Sequence, residues 1–411
     1  MDQLANIKSI VDYSFGHDVE MLSGVNELFE LELAFLEYNS LPKDKLLERT
    51  AYIKSVGNNL SLHYLLYSES ANSLTENRSA ITQSYFEKGR FSTGYATHGL
   101  FPYRGKFHPQ LIKALLNIIG IQKGDILLDP MAGSGTTNIE AALLGIDTIA
   151  IDVSPFCQFM IEVKYEALKI ESASLSLLKN NSNELFQFFN QENILIKILQ
   201  FHQKERVLYK LAYLAYLDAL GYSKRVIRSN HFLLFKKVLN RYIDTLEQIL
   251  NNTYFKQIEL GNLKILQDSD ALIMKMDNSS VDGIITSPPY SFAIDYIEND
   301  KPQLELLGYD TKLLRERLIG LKGKTKSEKL DQYFFDMELF CREVSRVLKK
   351  DKFFVLIIGS NTNQTGGIRL EEKIIKSANN NNLRLIKSII KPIKGMRNTM
   401  KDEYILFFKR Y

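Results

Sequence analysis

The chain has 411 residues, of which 45% are apolar and 24% charged, and its net charge is +4. These are the proportions of a soluble globular protein with one large domain or two to three ordinary ones. Two cysteines without ligand spacing argue against a disulfide framework and a zinc site, and no apolar run approaches the roughly 20 residues of a membrane span. The first 20 residues lack the basic-then-apolar pattern of a signal peptide, so a reducing cytoplasm is expected. Mild basicity permits a nucleic-acid partner without arguing for one.

Residues 1–90 carry helical periodicity ("VNELFELELAFLEY", "LSLHYLLYSES") and no catalytic motif. From 91 to 165 the pattern becomes helix, strand, glycine turn, helix, strand. "HPQLIKALLNIIG" is a helix stopping at Gly120, and "DILLDP" and "DTIAIDVS" are short apolar strands. Residues 166–258 form a mostly helical insertion rich in Asn, Lys and Tyr. Strand signals return in 259–411: "LKILQDS", "DGIITSPP", "FFVLIIGS", "LRLIKSII" and "EYILFFKR". Alternation of strands and helices predicts an α/β doubly wound sheet of seven strands, mostly parallel. The last two strands are joined by "KPIKGMRNTMKD", too short for a helical crossover, which predicts a C-terminal antiparallel hairpin.

The first chemistry lies in "DPMAGSGTTNIEAALLGIDTIAIDVS". Asp129 closes a strand. Gly133 and Gly135 let the backbone turn tightly and approach a ligand, and Thr136 and Thr137 open a helix with free N–H groups. Asp152 ends the next strand a little over 20 residues on, where an acid can accept both hydroxyls of a ribose. The third glycine of the dinucleotide fingerprint is missing, so a pyrophosphate is not required. Downstream, "TSPPY" ends a buried strand with two residues that have no N–H to donate. Alone, it reads first as a stiff turn and only second as a site.

Taken together, the two motifs resemble those of S-adenosylmethionine-dependent amino-methyltransferases of DNA. "DPMAGSGTT" is similar to their cofactor motif, with Met131 where phenylalanine is usual, and Ser287-Pro288-Pro289-Tyr290 to their catalytic motif. "FHPQLIKALL" resembles the helix beside the methionine of the cofactor, and "LQDSDAL" the strand end whose acid reaches the adenine. The resemblance covers about 106–165 and 260–411. It implies a Rossmann-like class I methyltransferase fold and S-adenosyl-L-methionine as cofactor. The cofactor would be held by His108, Pro109, Asp129, Met131, Ala132, Gly133, Ser134, Gly135, Thr136, Thr137, Asp152, Asp268 and Ser269.

An exocyclic amine of a nucleobase is a poor nucleophile, because its lone pair is delocalised into the ring. Acceptors gripping its N–H bonds favour the pyramidal nitrogen that attacks, and the Ser287 hydroxyl and Pro288 carbonyl are such acceptors. Tyr290 offers a face on which a flipped base stacks. Serine in first position is the usual form in the cytosine-N4 enzymes of the family, which places N4 of cytosine ahead of N6 of adenine. An RNA base methyltransferase and a catalytically silent recognition subunit stay open as alternatives. Cys157 and Cys341 are read as buried core residues, not as the nucleophile that C5 methylation needs. His98 and His108 are read as structural or cofactor-side groups, with no metal expected.

Double-stranded DNA would meet two basic clusters. Residues 311–330 hold seven Lys/Arg against two Glu, including Arg315, Arg317, Lys322, Lys324 and Lys326. The insertion, the candidate target-recognition region, holds Lys224, Arg225 and Arg228. A solvated basic face is the competing reading. No nuclease motif is visible, so a restriction endonuclease acting with this chain would be a separate protein.

Overall fold

The computed structural model describes residues 3–22, 25, 27–67, 94–103, 105–223, 230–289, 295–320, 322–359, 367–393 and 402–411. Contacts divide the chain into two compact units, one of residues 1–120 and 159–260, the other of 121–158 and 261–411.

The second unit is built on a seven-stranded sheet. Its strands are β1 (Ile126–Asp129), β2 (Asp147–Ala150), β3 (Leu263–Ile265), β4 (Val281–Thr286), β5 (Leu348–Gly359), β6 (Leu383–Pro392) and β7 (Asp402–Arg410). Their order is β3-β2-β1-β4-β5-β7-β6. The pairs from β3 to β5 are parallel, and β7 runs antiparallel to both neighbours. The hairpin of β6 and β7 is thus as expected, but its second strand is the inner one. The apolar run Ile405–Phe408 explains that placement, since all four residues are buried and an edge would leave them wet.

β4 is buried along its whole length, which is why "VDGIIT" reads as a continuous run and not an alternating one. Its Val281 and Ile284 join Phe354, Leu356, Leu406 and Phe408 in a core closed by two helices. Tyr333, Met337, Phe340, Cys341 and Val344 come from helix Lys326–Val347, and Ile374 and Ala378 from helix Leu370–Asn380. Each large aliphatic side chain so buried stabilises by about 1.5–3 kcal/mol. Cys341 is part of this layer, and burial pushes its thiol well above the ordinary range. Cys157 is buried too, so both cysteines are core residues.

At the amino end of the sheet Asp282 accepts two 2.8 Å bonds from Lys349 Nζ and one of 3.1 Å from the Ile126 amide. Three neighbouring strands are thereby pinned in register. Gly261 is needed just before β3, because a Cβ there would sit 2.1 Å from the Ile146 carbonyl oxygen.

The first unit is mainly helical, but not wholly. Val19–Met21, Ile53–Val56 and Asn59–Leu60 form a three-stranded antiparallel sheet within the segment expected to be helical. The strands have two to four residues, too short for period-two patterning to stand out from the helices around them. Helix Leu28–Ser40 packs on helix Pro109–Ile118. Buried Glu37 accepts from Asn117 Nδ2 (2.6 Å), Thr50 Oγ1 (2.9 Å) and the Ala51 amide (2.8 Å). The insertion contributes the long helices Gln203–Ser223 and His231–Asn251, which pack on each other. Tyr242 donates to buried Asp218 (3.1 Å) and accepts the Phe101 amide (2.8 Å). Phe101 itself has φ of 57°, a conformation costly for a bulky residue, and this bond helps hold it.

Candidate active site

Strand order reverses between β1 and β4, and the carboxyl ends of strands at such a point form the usual ligand crevice of an open α/β sheet. Both sequence motifs begin there. β1 and β4 pair through Leu127 with Gly283 and Leu128 with Ile284, so Asp129 and Thr286 close adjacent strands. The Thr286 hydroxyl donates to Asp129 Oδ1 at 2.6 Å, although the two residues are 157 positions apart. Ser287, Pro288 and Pro289 follow directly, with Pro288 buried and the other two half-buried. Tyr290 lies outside the described residues.

The glycine turn forms as expected. Gly133 and Gly135 have φ of 51° and 76°, which disfavours any side chain, and Gly135 leads into helix Thr136–Leu143. The Ala132 amide donates to Ile151 O (3.0 Å) and the Gly135 amide to Ala132 O (2.8 Å). Ser134 and Thr136 share a hydroxyl contact of 3.2 Å, and Thr137 is fully buried with its hydroxyl beside the Asp129 carboxyl. Half-buried Met131 packs against the sheet core, and its amide donates to Asp129 Oδ1.

Asp152, just past β2, braces this turn. Its Oδ2 accepts the Gly133 amide at 2.7 Å and its Oδ1 the Ser154 amide at 2.8 Å. Ser154 caps the next helix through the Cys157 amide, with Pro155 in the first turn, as a Ser-Pro helix start should. A carboxylate oxygen can accept more than one bond, so Asp152 keeps capacity for ligand hydroxyls. Three residues past β3, Asp268 is exposed and makes no hydrogen bond or ion pair among the described residues. Ser269 is buried and bonds within its own loop, accepting the Lys275 amide at 3.0 Å.

Burial raises the carboxyl groups of both Asp129 and Asp152 above their ordinary range. For Asp129 it pushes the value up to about 6, against the pull of the Thr286 hydroxyl, the nearby Thr137 hydroxyl and the Met131 amide. For Asp152 burial again outweighs the Ser154 and Gly133 amides. Asp129 Oδ2 is buried without a hydrogen-bond partner. Two desolvated acids at neighbouring strand ends suit a ligand that brings positive charge and hydroxyl donors.

His108 and Pro109 lie in the other unit, as N-cap and first residue of helix Pro109–Ile118. His98 is buried there, its ring edge-on to Tyr95 at 5.3 Å. Among the described residues there is no cluster of three or more His, Cys, Asp or Glu that could hold a metal, and no helix long and apolar enough to cross a membrane.

The basic segment divides in two. Arg315 pairs with Asp295 at 2.6 Å and lies 3.8 Å from Glu298, Arg317 is 3.9 Å from Asp270, and Lys322 is 3.2 Å from buried Asp336. Lys324 and Lys326 are exposed, and their side chains make no ion pair among the described residues. Lys224, Arg225 and Arg228 lie outside the described residues. Sequence reasoning missed Thr286 and Gln158, which donates to Asp152 O at 2.7 Å. The threonine was legible only as the last residue of a buried strand, where a hydroxyl needs a partner.

Residues 281–410 match the family model of DNA methylases, and residues 100–209 that of an RMKL-like methyltransferase domain. The type II methyltransferase M.BsoBI of Geobacillus stearothermophilus is 26% identical over 314 residues, 61% of this chain and 62% of that one. M.MjaII of Methanocaldococcus jannaschii is 32% identical over 154 residues, 35% of this chain and 28% of that one. The matched stretch is therefore less than two-thirds of either relative. A shorter match, 31% over 80 residues, joins 20% of this chain to 22% of a tRNA (guanine(10)-N2)-dimethyltransferase of Methanothermobacter thermautotrophicus. The DNA methylase match lies over the catalytic turn and the strands behind it, so this part of the chain is similar to DNA methylases and to the type II methyltransferases above.

Proposed function

We propose that this chain methylates the exocyclic amine of a flipped base in double-stranded DNA, N4 of cytosine ahead of N6 of adenine. It would do so as the modification enzyme of a restriction-modification system whose nuclease is a separate chain. The carrying observation is the Thr286–Asp129 hydrogen bond, which seats Ser287 beside the cofactor turn at the switch point. Preference for cytosine rests on Ser287 in the first position of the motif.

The residues fit the cofactor. A buried carboxylate oxygen without a partner, Asp129 Oδ2, is what a ligand ammonium would satisfy. Asp152 would accept the ribose hydroxyls, the turn Gly133–Gly135 would lie against the methionine portion, and exposed Asp268 would take the adenine amine. When bound, S-adenosylmethionine supplies an electrophilic methyl group. Ser287 Oγ and the Pro288 carbonyl accept the two N–H bonds of the target amine, turning its lone pair toward that methyl carbon. The prolines keep competing donors away from the nitrogen. Tyr290 stacks on the base. The methyl group would pass from the sulfonium sulfur to the amine nitrogen, and the surplus amine proton would leave to solvent, so no general base is required of this chain.

A second reading, methylation of a base in RNA, is favoured by the tRNA (guanine(10)-N2)-dimethyltransferase relative. Nucleoside mass spectrometry of DNA and RNA from expressing cells separates the two. N4-methylcytosine in DNA supports the proposal, and N6-methyladenine would transfer it to the other amine. A methylated base in RNA alone would sink it.

A further inference from the structure

Thr286 is the last residue of β4 and fully buried, and it precedes the catalytic turn without belonging to it. Its 2.6 Å bond to Asp129 Oδ1 falls in the range of hydroxyl-to-carboxylate bonds, shorter than bonds between neutral groups. Asp129 needs such help. It has no ion-pair partner among the described residues, and the charged group acting on it from β2, Asp152, is of like sign. Burial drives its carboxyl toward the neutral form, to about 6. On the other side are the Thr286 hydroxyl, the Met131 amide and the nearby Thr137 hydroxyl. Of these, only Thr286 comes from a different strand, and it is the one joined to the catalytic motif.

We propose that Thr286 is a positioning residue for the cofactor: its hydroxyl keeps the Asp129 carboxylate ionised and fixed, leaving Oδ2 to take the ammonium of the methionine portion. The strand that presents the catalytic turn thus also sets cofactor affinity. An empty site would hold Asp129 partly protonated near pH 6, and ligand binding would expel that proton. The inference rests on the cofactor reading above.

Calorimetry tests it with two ligands, S-adenosylhomocysteine and 5′-methylthioadenosine, which lacks the ammonium. The full-length wild type, Thr286→Val and Thr286→Ser are titrated between pH 5 and 8. In the wild type, affinity for S-adenosylhomocysteine should fall as pH drops below about 6, approaching tenfold per unit. Thr286→Val should weaken it roughly tenfold or more at pH 7 and move the fall to higher pH, as loss of a bond to a charged group requires. Thr286→Ser should restore wild-type behaviour, and 5′-methylthioadenosine should bind all three alike. Equal weakening of both ligands, or an unshifted pH profile in Thr286→Val, would overturn the proposal. Should the valine variant not fold, a pH-independent wild type overturns it and the fall below pH 6 with an intact serine variant upholds it. A wild type that binds neither ligand removes the cofactor reading itself, and this inference with it.

Discussion

The two ends of β4 handle a buried carboxylate in opposite ways. At the amino end Asp282, 8% exposed, meets Lys349, the Ile126 amide and, at 3.6 Å, Lys352. Burial raises its carboxyl, but these partners outweigh that and hold it below the ordinary range. At the carboxyl end Asp129, 1% exposed, has hydroxyl and amide donors but no cation, and burial wins. One end of the sheet completes its electrostatics within the chain. The other leaves a buried carboxylate oxygen, Asp129 Oδ2, without a hydrogen bond. Incomplete satisfaction of buried groups is costly to the empty protein, so its placement points to the site.

The largest expected effect breaks the comparison at the catalytic turn. Ser287→Ala should lower kcat about 100-fold or more while cofactor and DNA binding stay nearly intact, because the lost acceptor acts as the nitrogen pyramidalises. Tyr290→Phe should be mild, since stacking needs the ring and not the hydroxyl. Single-turnover methylation checks both, and a fully active Ser287→Ala would return the two prolines to being a turn.

Next comes the amino end. Asp282→Ala removes the partner of Lys349 and of the Ile126 amide, and should destabilise by about 2–3 kcal/mol. This is below the cost of breaking a fully buried pair, because Lys349 is 42% exposed. Denaturant unfolding measures it. Because the folded value is lowered, this contribution is present above the unfolded value near 4 and is lost as pH falls through the folded one.

Asp129→Asn should do the reverse, stabilising the ligand-free protein by about 1–2 kcal/mol at pH 7 while abolishing tight cofactor binding. The sign follows from the raised value. Between about pH 4 and 6 the folded state holds a proton that the unfolded state has lost, so wild-type stability falls as pH rises through that window. Thermal unfolding across that range should show the slope in the wild type and its loss in the variant. A less stable Asp129→Asn at pH 7 would refute the account of this end.

The smallest effect sharpens the same contrast in residues 311–330. Lys324→Ala with Lys326→Ala should leave stability unchanged and reduce the salt dependence of DNA binding, by up to about 0.9 log units per lost phosphate contact. Lys322→Ala should instead cost stability, because it leaves the buried carboxylate of Asp336 with the Gln332 amide but without its cation. Equal salt slopes in the double variant and the wild type would make this segment a solvated face.

Much of the molecule was legible because the signals are local. A glycine that must adopt positive φ, a proline without an N–H and a strand buried on both faces are properties of a few consecutive residues. They carried the strand count, the glycine turn between Asp129 and Asp152, and the motif at Ser287. What was missed is nonlocal or short. The small sheet at Val19–Met21 and Ile53–Val56 has too few residues for a period to emerge. Arg315 looked like a phosphate ligand, yet its partner Asp295 lies in a different element, just after the catalytic motif.

The sequence by itself therefore determined the strands of the large sheet, the two motifs and the resemblance they carry, because these depend on residue type and on spacing along the chain. Only the tertiary structure decided that β7 lies inside β6, that Arg315 and Lys322 are paired, and that Thr286 bonds Asp129. Each of these is a choice of partner. It is made by whichever buried group, tens to more than a hundred residues away, leaves fewest donors and acceptors without a bond.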